Sequence, residues 1–281
     1  YGYQQDIHSF PTRRSSDLKD KLPRIASYAI GEDYHQIIPQ LLEKMIALIK
    51  NQINSENFEY KIYTDTGPIL ERELAQRAGL GWIGKNSCLI TPDAGSYLFL
   101  SEIFINIAFE PDSSFETDHC GTCTRCIDAC PTNCILPNRT IDANKCISYL
   151  TIENRKPISE DYRTAIDGWI FGCDICQIVC PWNIRFAKIP QPNYFEPLEL
   201  IQTLDIINEL QIDKKEFKEK FSSSPISRAK YEGYLRNILV AINNHFQPDF
   251  AEPVIKFMNG VQNQDLKDLA KWVLDSNKIN Y

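Results

Sequence analysis

Two cysteine runs hold most of the chemistry this chain can offer. The first reads Cys120-Gly-Thr-Cys123-Thr-Arg-Cys126-Ile-Asp-Ala-Cys130-Pro131, the second Cys173-Asp-Ile-Cys176-Gln-Ile-Val-Cys180-Pro181. CxxCxxCxxxCP is the spacing of bacterial iron–sulfur ligation, in which the fourth cysteine of a run serves the other cluster of a pair. Applied crosswise, the rule gives one cluster Cys120, Cys123, Cys126 and Cys180. The other receives Cys130, Cys173 and Cys176 and lacks a ligand. Cys146, in Asn144-Lys-Cys146-Ile between the runs, is the expected fourth. Cys134 is its rival, but it follows Cys130 by only four residues on what should be the same helix. CxxC pairs also bind zinc; the doubled run with its trailing prolines favours two 4Fe-4S clusters instead. Cys88 and Cys134 read as small buried hydrophobes. Two such clusters relay single electrons and do not by themselves choose a substrate.

The elements that must position these thiols belong to a chain of 281 residues with ten cysteines, 43% hydrophobic and 24% charged, net charge −7. That length allows two or three small domains. No apolar run is long enough for a membrane span. The acidic balance argues against coating nucleic acid wholesale but leaves room for a local basic face. Metal-type cysteine spacing points to a reducing, cytoplasmic setting. Residues 1–18 are expected to be foreign to the gene: His8-Ser-Phe-Pro-Thr-Arg-Arg-Ser-Ser-Asp-Leu18 looks like one reading frame of a sequencing-adapter oligonucleotide. Arg13-Arg14 then only mimics an export signal, since Lys19, Asp20 and Lys21 follow where an apolar stretch should be. The natural protein is expected to begin further upstream.

Periodicity predicts an amphipathic helix over 33–50, with Ile38, Leu41, Leu42, Met45, Ile46 and Ile49 on one face and Asp33 as N-cap. Alternation at Phe58, Tyr60 and Ile62 predicts a strand over 58–64, closed by the turn Thr64-Asp65-Thr-Gly-Pro68. A helix over 69–78, a glycine-punctuated loop at 79–86 and strand character over 96–108 complete an α+β unit at 19–117. A ferredoxin-type unit spans 118–185. Prolines 190, 192 and 197 mark a linker, and 186–281 reads as all-α, with a stripe at Tyr231, Tyr234, Leu235, Ile238, Leu239 and Ile242. A helical pair over 249–259 and 263–275 resembles one HEAT-type repeat.

Several motifs now align in one order. Arg24-Ile-Ala-Ser27-Tyr28-Ala-Ile-Gly31-Glu-Asp33-Tyr34-His35, Asp65-Thr-Gly-Pro68-Ile-Leu-Glu71-Arg72, Ala78-Gly-Leu-Gly-Trp82-Ile-Gly84-Lys85-Asn86, both cysteine runs, Cys146, and Arg228-Ala-Lys230-Tyr-Glu-Gly-Tyr-Leu-Arg236-Asn237 resemble the epoxyqueuosine reductases. The resemblance runs from about residue 22 to the C-terminus. It implies a cobalamin-dependent iron–sulfur oxidoreductase that reduces epoxyqueuosine to queuosine at the wobble position of tRNA, the last step of queuosine biosynthesis. The clusters would feed electrons from an external low-potential donor to cobalamin, and the cofactor would carry the difficult step. The chain departs from the family at its beginning, where a further segment helps build the cofactor pocket. It departs again at Cys134, where the family commonly has a small non-ligand residue.

The leaving epoxide oxygen needs a general acid. Asp65, in a turn between strand and helix, either caps the helix starting near Pro68 or supplies that proton; the resemblance favours the proton. A free aspartic acid titrates near ~3.9, so a donor at neutral pH needs apolar burial or a neighbouring negative charge. Tyr28 either lines the corrin pocket or packs the core. Gly84 and Lys85 belong to a loop that either lets backbone approach the cofactor or merely ends a helix. His35 reads as structural or as a proton relay rather than a cobalt ligand. For tRNA, residues 212–236 hold seven Lys and Arg against four Asp and Glu, a local +3. Arg228, Lys230 and Arg236 are the expected phosphate contacts. A monomer is expected. Two other readings are a cobalamin-dependent reductive dehalogenase, for which the helical C-terminal part has no use, and a plain ferredoxin-like electron carrier, which would not need the 19–117 unit.

Overall fold

The structure is a computed structural model that describes residues 23–53, 57–187 and 195–281. The expected adapter-derived stretch at 1–18 and the linker prolines 190 and 192 lie outside the described residues. Elements follow in chain order: β1 (Arg24–Ile25), α1 (Tyr34–Gln52), β2 (Tyr60–Tyr63), α2 (Glu71–Arg77), β3 (Trp82–Ile83), β4 (Leu89–Ile90), β5 (Glu102–Ile105), α3 (Arg125–Ala129), α4 (Ile147–Ile152), α5 (Glu160–Ile166), β6 (Trp169–Phe171), α6 (Ile175–Ile178), α7 (Pro181–Phe186), α8 (Glu199–Gln202), α9 (Ile206–Gln211), α10 (Lys214–Lys220), α11 (Lys230–Asn244), α12 (Ala251–Gly260) and α13 (Gln264–Ser276). The fold is mixed, with short strands set among helices.

Helix α1 starts where its cap dictates. The Asp33 side chain accepts from the His35 backbone N–H, satisfying a donor the first turn would otherwise leave open. Its inward face is Tyr34, Ile37, Ile38, Leu42 and Ile46, while Met45, expected on that face, is 53% exposed. The β2 strand pairs antiparallel with β5, Tyr60 opposite Ile105 and Tyr63 opposite Glu102. This hairpin-like pair is shorter than the sequence alternation suggested. It holds the following turn, and with it Asp65, beside the start of α1.

The expected division near residue 185 does not coincide with a break in the core. One continuous apolar cluster joins Ile147, Ile152, Ile166 and Trp169–Phe171 to Leu210, Phe221, Leu235, Ile238, Leu239, Val254 and Leu274. Helix α11 is its axis: Tyr234 through Ile242 are all buried, and each large side chain so enclosed stabilises the fold by roughly 1.5–3 kcal/mol. The cluster-bearing segment and the helical C-terminal segment therefore share one interior. The N-terminal strand is bound into it as well. β1 lies parallel to β6, and Arg24 pairs with Asp167, which also meets His245 from the end of α11. Among the described residues, no helix is long and apolar enough to cross a membrane.

Candidate active site and cluster sites

The first cysteine run wraps a small cavity. Cys120, Cys123, Cys126 and Cys180 all line a space of about 150 Å³, together with Lys85, Asn86, His119, Arg125 and Trp182. Cys180 thus stands with three thiols of the other run. The short helices inside the two runs, α3 and α6, pack against each other, and this brings the fourth cysteine of the second run across. The loop is held from outside. Lys85 Nζ donates to the carbonyls of Gly121 (2.7 Å) and Cys123 (2.9 Å). Asp118 accepts from the Cys120 backbone N–H at 2.8 Å and is paired with Arg139. Trp82 Nε1 donates to Cys120 Sγ at 3.5 Å.

The second set is denser. Cys130 Sγ lies 3.4 Å from Cys134 Sγ, and Cys146 is near enough to interact with Cys134. Interaction with the Cys134 thiol draws the pKa of Cys130 down to about 4 and that of Cys146 to about 6. Burial pushes Cys173 up, and the neighbouring Asp174, Cys146 and Cys130 act in the same direction. Cys176 is raised first by its hydrogen bond to Cys88. Cys146 therefore stands with Cys130, Cys173 and Cys176. Two further thiols, Cys88 and Cys134, flank them; the sequence reading took both for inert core residues. Among the described residues, no three His, Cys, Asp or Glu side chains converge as ligands of a single metal ion do. Thiols spread around a cavity suit a multi-atom cluster whose irons sit at separate corners, rather than one tetrahedral zinc.

The larger cavity, about 600 Å³, lies between these thiols and the α1 start. Its lining includes Tyr28, Tyr34, His35, Asp65, Arg72, Cys146, Tyr149, Glu153, Phe171 and Arg228. Asp65 reaches it from a left-handed backbone conformation, φ 58°, uncommon for a residue with a side chain. Glu71 holds that turn by accepting the Asp65 backbone N–H at 2.5 Å. The carboxylate is 56% exposed toward the cavity side. Tyr34 Oη donates to Asp65 Oδ2 at 2.6 Å, and burial together with this bond pushes the Tyr34 hydroxyl far above its ordinary range. His35 Nε2 stands 3.4 Å from the same oxygen. The contact falls short of hydrogen-bond geometry, so this buried nitrogen has no hydrogen-bond partner. The other ring nitrogen, Nδ1, is 2.8 Å from Asp33 Oδ1. The N-cap of α1 thus also orients the imidazole that faces Asp65. Tyr28 packs edge-on to Tyr34 at 6.0 Å between ring centroids and against Phe171.

Three sequence expectations need correction. Gly84 and Lys85 do not line the larger cavity. Lys85 borders the smaller one, and Gly84 makes a tight turn in which a Cβ would lie 2.6 Å from Ile90 Cδ1. Arg236 is only 6% exposed, and its guanidinium is spent on the carbonyls of Leu150, Asn154 and Lys156 and on the Asn237 side chain. A phosphate cannot reach it. Arg228, by contrast, sits at the cavity, paired with Glu153 at 2.6 Å while half exposed, and Lys230 is exposed. Sequence reasoning left Tyr34, Arg72 and Glu153 out of the site. Tyr34 and Arg72 lie inside quoted motifs, so position beside Asp33 and after Asp65 was the available signal; Glu153 carried none.

Comparison with known proteins adds the following. Residues 119–183 match the family model for a 4Fe-4S double cluster binding domain, and residues 1–66 match the model for epoxyqueuosine reductase QueG, DUF1730. An epoxyqueuosine reductase of Cyclobacterium marinum is 42% identical over 229 residues, 82% of this chain and 72% of the relative. A Bacillus subtilis epoxyqueuosine reductase, solved with its aspartate-bearing catalytic loop swung out of the active site, superposes with a TM-score of 0.82 at 30% identity, over 95% of this chain and 71% of the other. Another, solved with an epoxyqueuosine-modified tRNA-Tyr stem loop, gives a TM-score of 0.77 at 28% identity, over 96% of this chain and 80% of that one. The chain spans roughly two thirds of the length of several relatives it matches, 66% and 61% in two cases. With a double-cluster segment, the motifs around Asp65 and more than 40% identity to a relative covered over most of its length, the chain belongs to the epoxyqueuosine reductase family.

Proposed function

We propose that this protein reduces the epoxide of epoxyqueuosine in the anticodon of tRNA to the alkene of queuosine, closing that biosynthetic route, with cobalamin in the larger cavity and two 4Fe-4S clusters as its electron supply. The reading rests above all on one juxtaposition: Asp65, the expected proton donor, and Cys146, an expected ligand of the second cluster, line the same 600 Å³ cavity. Protons and electrons can therefore be delivered to one place. Removing the epoxide oxygen as water takes two electrons and two protons, so both deliveries are required.

The lining fits cobalamin in kind. Tyr28, Tyr149, Ile152 and Phe171 form an aromatic and aliphatic wall, and the unpartnered His35 Nε2 leaves one buried polar atom for an incoming group. Bound there, cobalamin would supply the strongly reducing centre that attacks the epoxide. Everything else falls to the chain. Asp65 is the group placed to give the departing oxygen its proton. Tyr34 fixes the carboxylate by its 2.6 Å hydrogen bond, and His35, oriented by Asp33, faces the same oxygen at 3.4 Å. The positive-φ turn aims the donor into the cavity from a short loop, and in the Bacillus subtilis relative it is an aspartate-bearing catalytic loop that is swung out of the active site.

The tRNA reading rests on Arg228 at the cavity mouth and on exposed Lys230. Enzymes acting on a base read it unstacked, and an anticodon loop offers such bases without the cost of opening a duplex. To test the function, the protein is loaded anaerobically with iron, sulfide and cobalamin, reduced, and given an epoxyqueuosine-containing stem loop. Mass spectrometry should record loss of one oxygen atom from the base. Uptake of clusters and corrinoid with no such loss, against turnover of a chlorinated phenol, would move the assignment to reductive dehalogenation.

A further inference from the structure

The second cluster site carries a thiol beyond its ligands. Cys134 is 3% exposed, and its Sγ is 3.4 Å from Cys130 Sγ. It is anchored by its backbone: its carbonyl accepts from Asp142 N–H at 2.9 Å, and Ile135 bridges to Ile141. The short turn between Cys130 and Ile135 sets the side chain against the Cys130 sulfur. The crosswise rule and the detached Cys146 complete this cluster without Cys134, and the Thr132 hydroxyl lies 3.5 Å from the same Cys130 sulfur.

We propose that Cys134 is a positioning residue that donates its one S–H hydrogen bond to the ligand sulfur of Cys130 and so raises the reduction potential of the second cluster. The inference rests on the two-cluster reading. Reduction adds negative charge to the cluster and its thiolates. A dipole whose positive end points at one of those sulfurs stabilises the reduced form more than the oxidised one. At the first cluster a donor of a different kind, the Trp82 indole, reaches Cys120. Because Cys146 also lines the larger cavity, the cluster so tuned is the one beside the reacting centre. An electron entering through the first cluster then comes to rest next to the cavity, not at the surface-facing end.

The test compares the unaltered chain with Cys134→Ala and Cys134→Ser, each reconstituted anaerobically with iron and sulfide. Iron content is measured, and each cluster is titrated against potential by electron paramagnetic resonance. All three should load both clusters. Cys134→Ala should make the second cluster about tenfold harder to reduce, a shift of about 59 mV for a one-electron couple, with the first cluster unmoved. Cys134→Ser, which keeps a donor, should restore most of the shift. An unmoved second potential in Cys134→Ala, or equal shifts in both clusters, overturns the proposal. Loss of half the iron in Cys134→Ala overturns it differently, by making Cys134 a ligand. If the unaltered chain itself never loads two clusters, the two-cluster reading falls and takes this with it; that failure shows before any variant is made.

Discussion

Arg236 separates a phosphate contact from a structural clamp, and the two make opposite predictions. Its guanidinium donates to Leu150 O at 2.6 Å, Asn154 O at 2.7 Å and Lys156 O at 2.9 Å, tying α11 to the end of α4. Burial draws its pKa down to about 10, with Arg155 adding to the effect. Arg236→Leu would strand the fully buried Leu150 carbonyl and weaken two partly wet ones. The buried Asn237 Oδ1 would lose its partner too; two stranded buried acceptors cost about 1–3 kcal/mol each, and removing a buried charge returns some of that, so the expected net loss is roughly 2–4 kcal/mol. Against a total stability of about 5–15 kcal/mol this is a large fraction. Arg236→Lys keeps the charge but not the planar fork, and should lose a good part of the same amount. Urea unfolding should show a lower midpoint at unchanged slope. Stem-loop binding, measured where the variant is folded, should keep its salt dependence. The reasoning is refuted by a wild-type midpoint together with a salt slope lowered by about one, the signature of a lost phosphate contact.

Asp65→Asn should keep clusters, cofactor and stem-loop binding yet slow epoxide reduction about 10²–10⁴-fold, the usual worth of a general acid; single-turnover rates at full activity would remove Asp65 from the reaction. Cys146→Ala should lower iron content toward one intact cluster, with the first cluster's resonance spectrum preserved; full iron content would reassign the ligand. Charge reversal at Arg228 and Lys230 together should weaken stem-loop binding most at low salt, and binding unchanged at every salt concentration would place the RNA face elsewhere. Glu102 has one buried carboxylate oxygen without a partner, and burial, then Glu71, raises its pKa from 4.5 to about 7. The folded state therefore holds that proton more tightly than the unfolded one, so the group's contribution to stability falls as pH rises from about 4.5 through about 7. Glu102→Gln should flatten this part of the melting-temperature profile, and an unchanged profile would show that the group titrates normally.

The sequence alone settled whatever depends on local order. Cysteine spacing picked out the thiols around the smaller cavity, because a repeated three-residue separation turns Cys120, Cys123 and Cys126 toward one centre and the crosswise rule sends Cys180 to join them. The 3.6-residue stripe gave α11 and α1, and the Asp33 cap gave where α1 begins. Only tertiary structure could decide what depends on which segments meet. The shared core from Ile147 to Leu274 erased a boundary that composition suggested, because apolar stripes state that they must be buried but not against what. Arg236 and Arg228 lie eight residues apart on one basic stretch. The chain folds one against three carbonyls and leaves the other at the cavity, a difference of burial that charge patterning cannot express. Lys85 likewise went to the small cavity, where carbonyls of a distant loop receive it. Cys134 shows the limit most plainly. By type and position it read as a small hydrophobe, and only the folded turn set its sulfur 3.4 Å from that of Cys130. Hydrogen bonds between residues distant in sequence form after the chain has folded, so no periodicity records them.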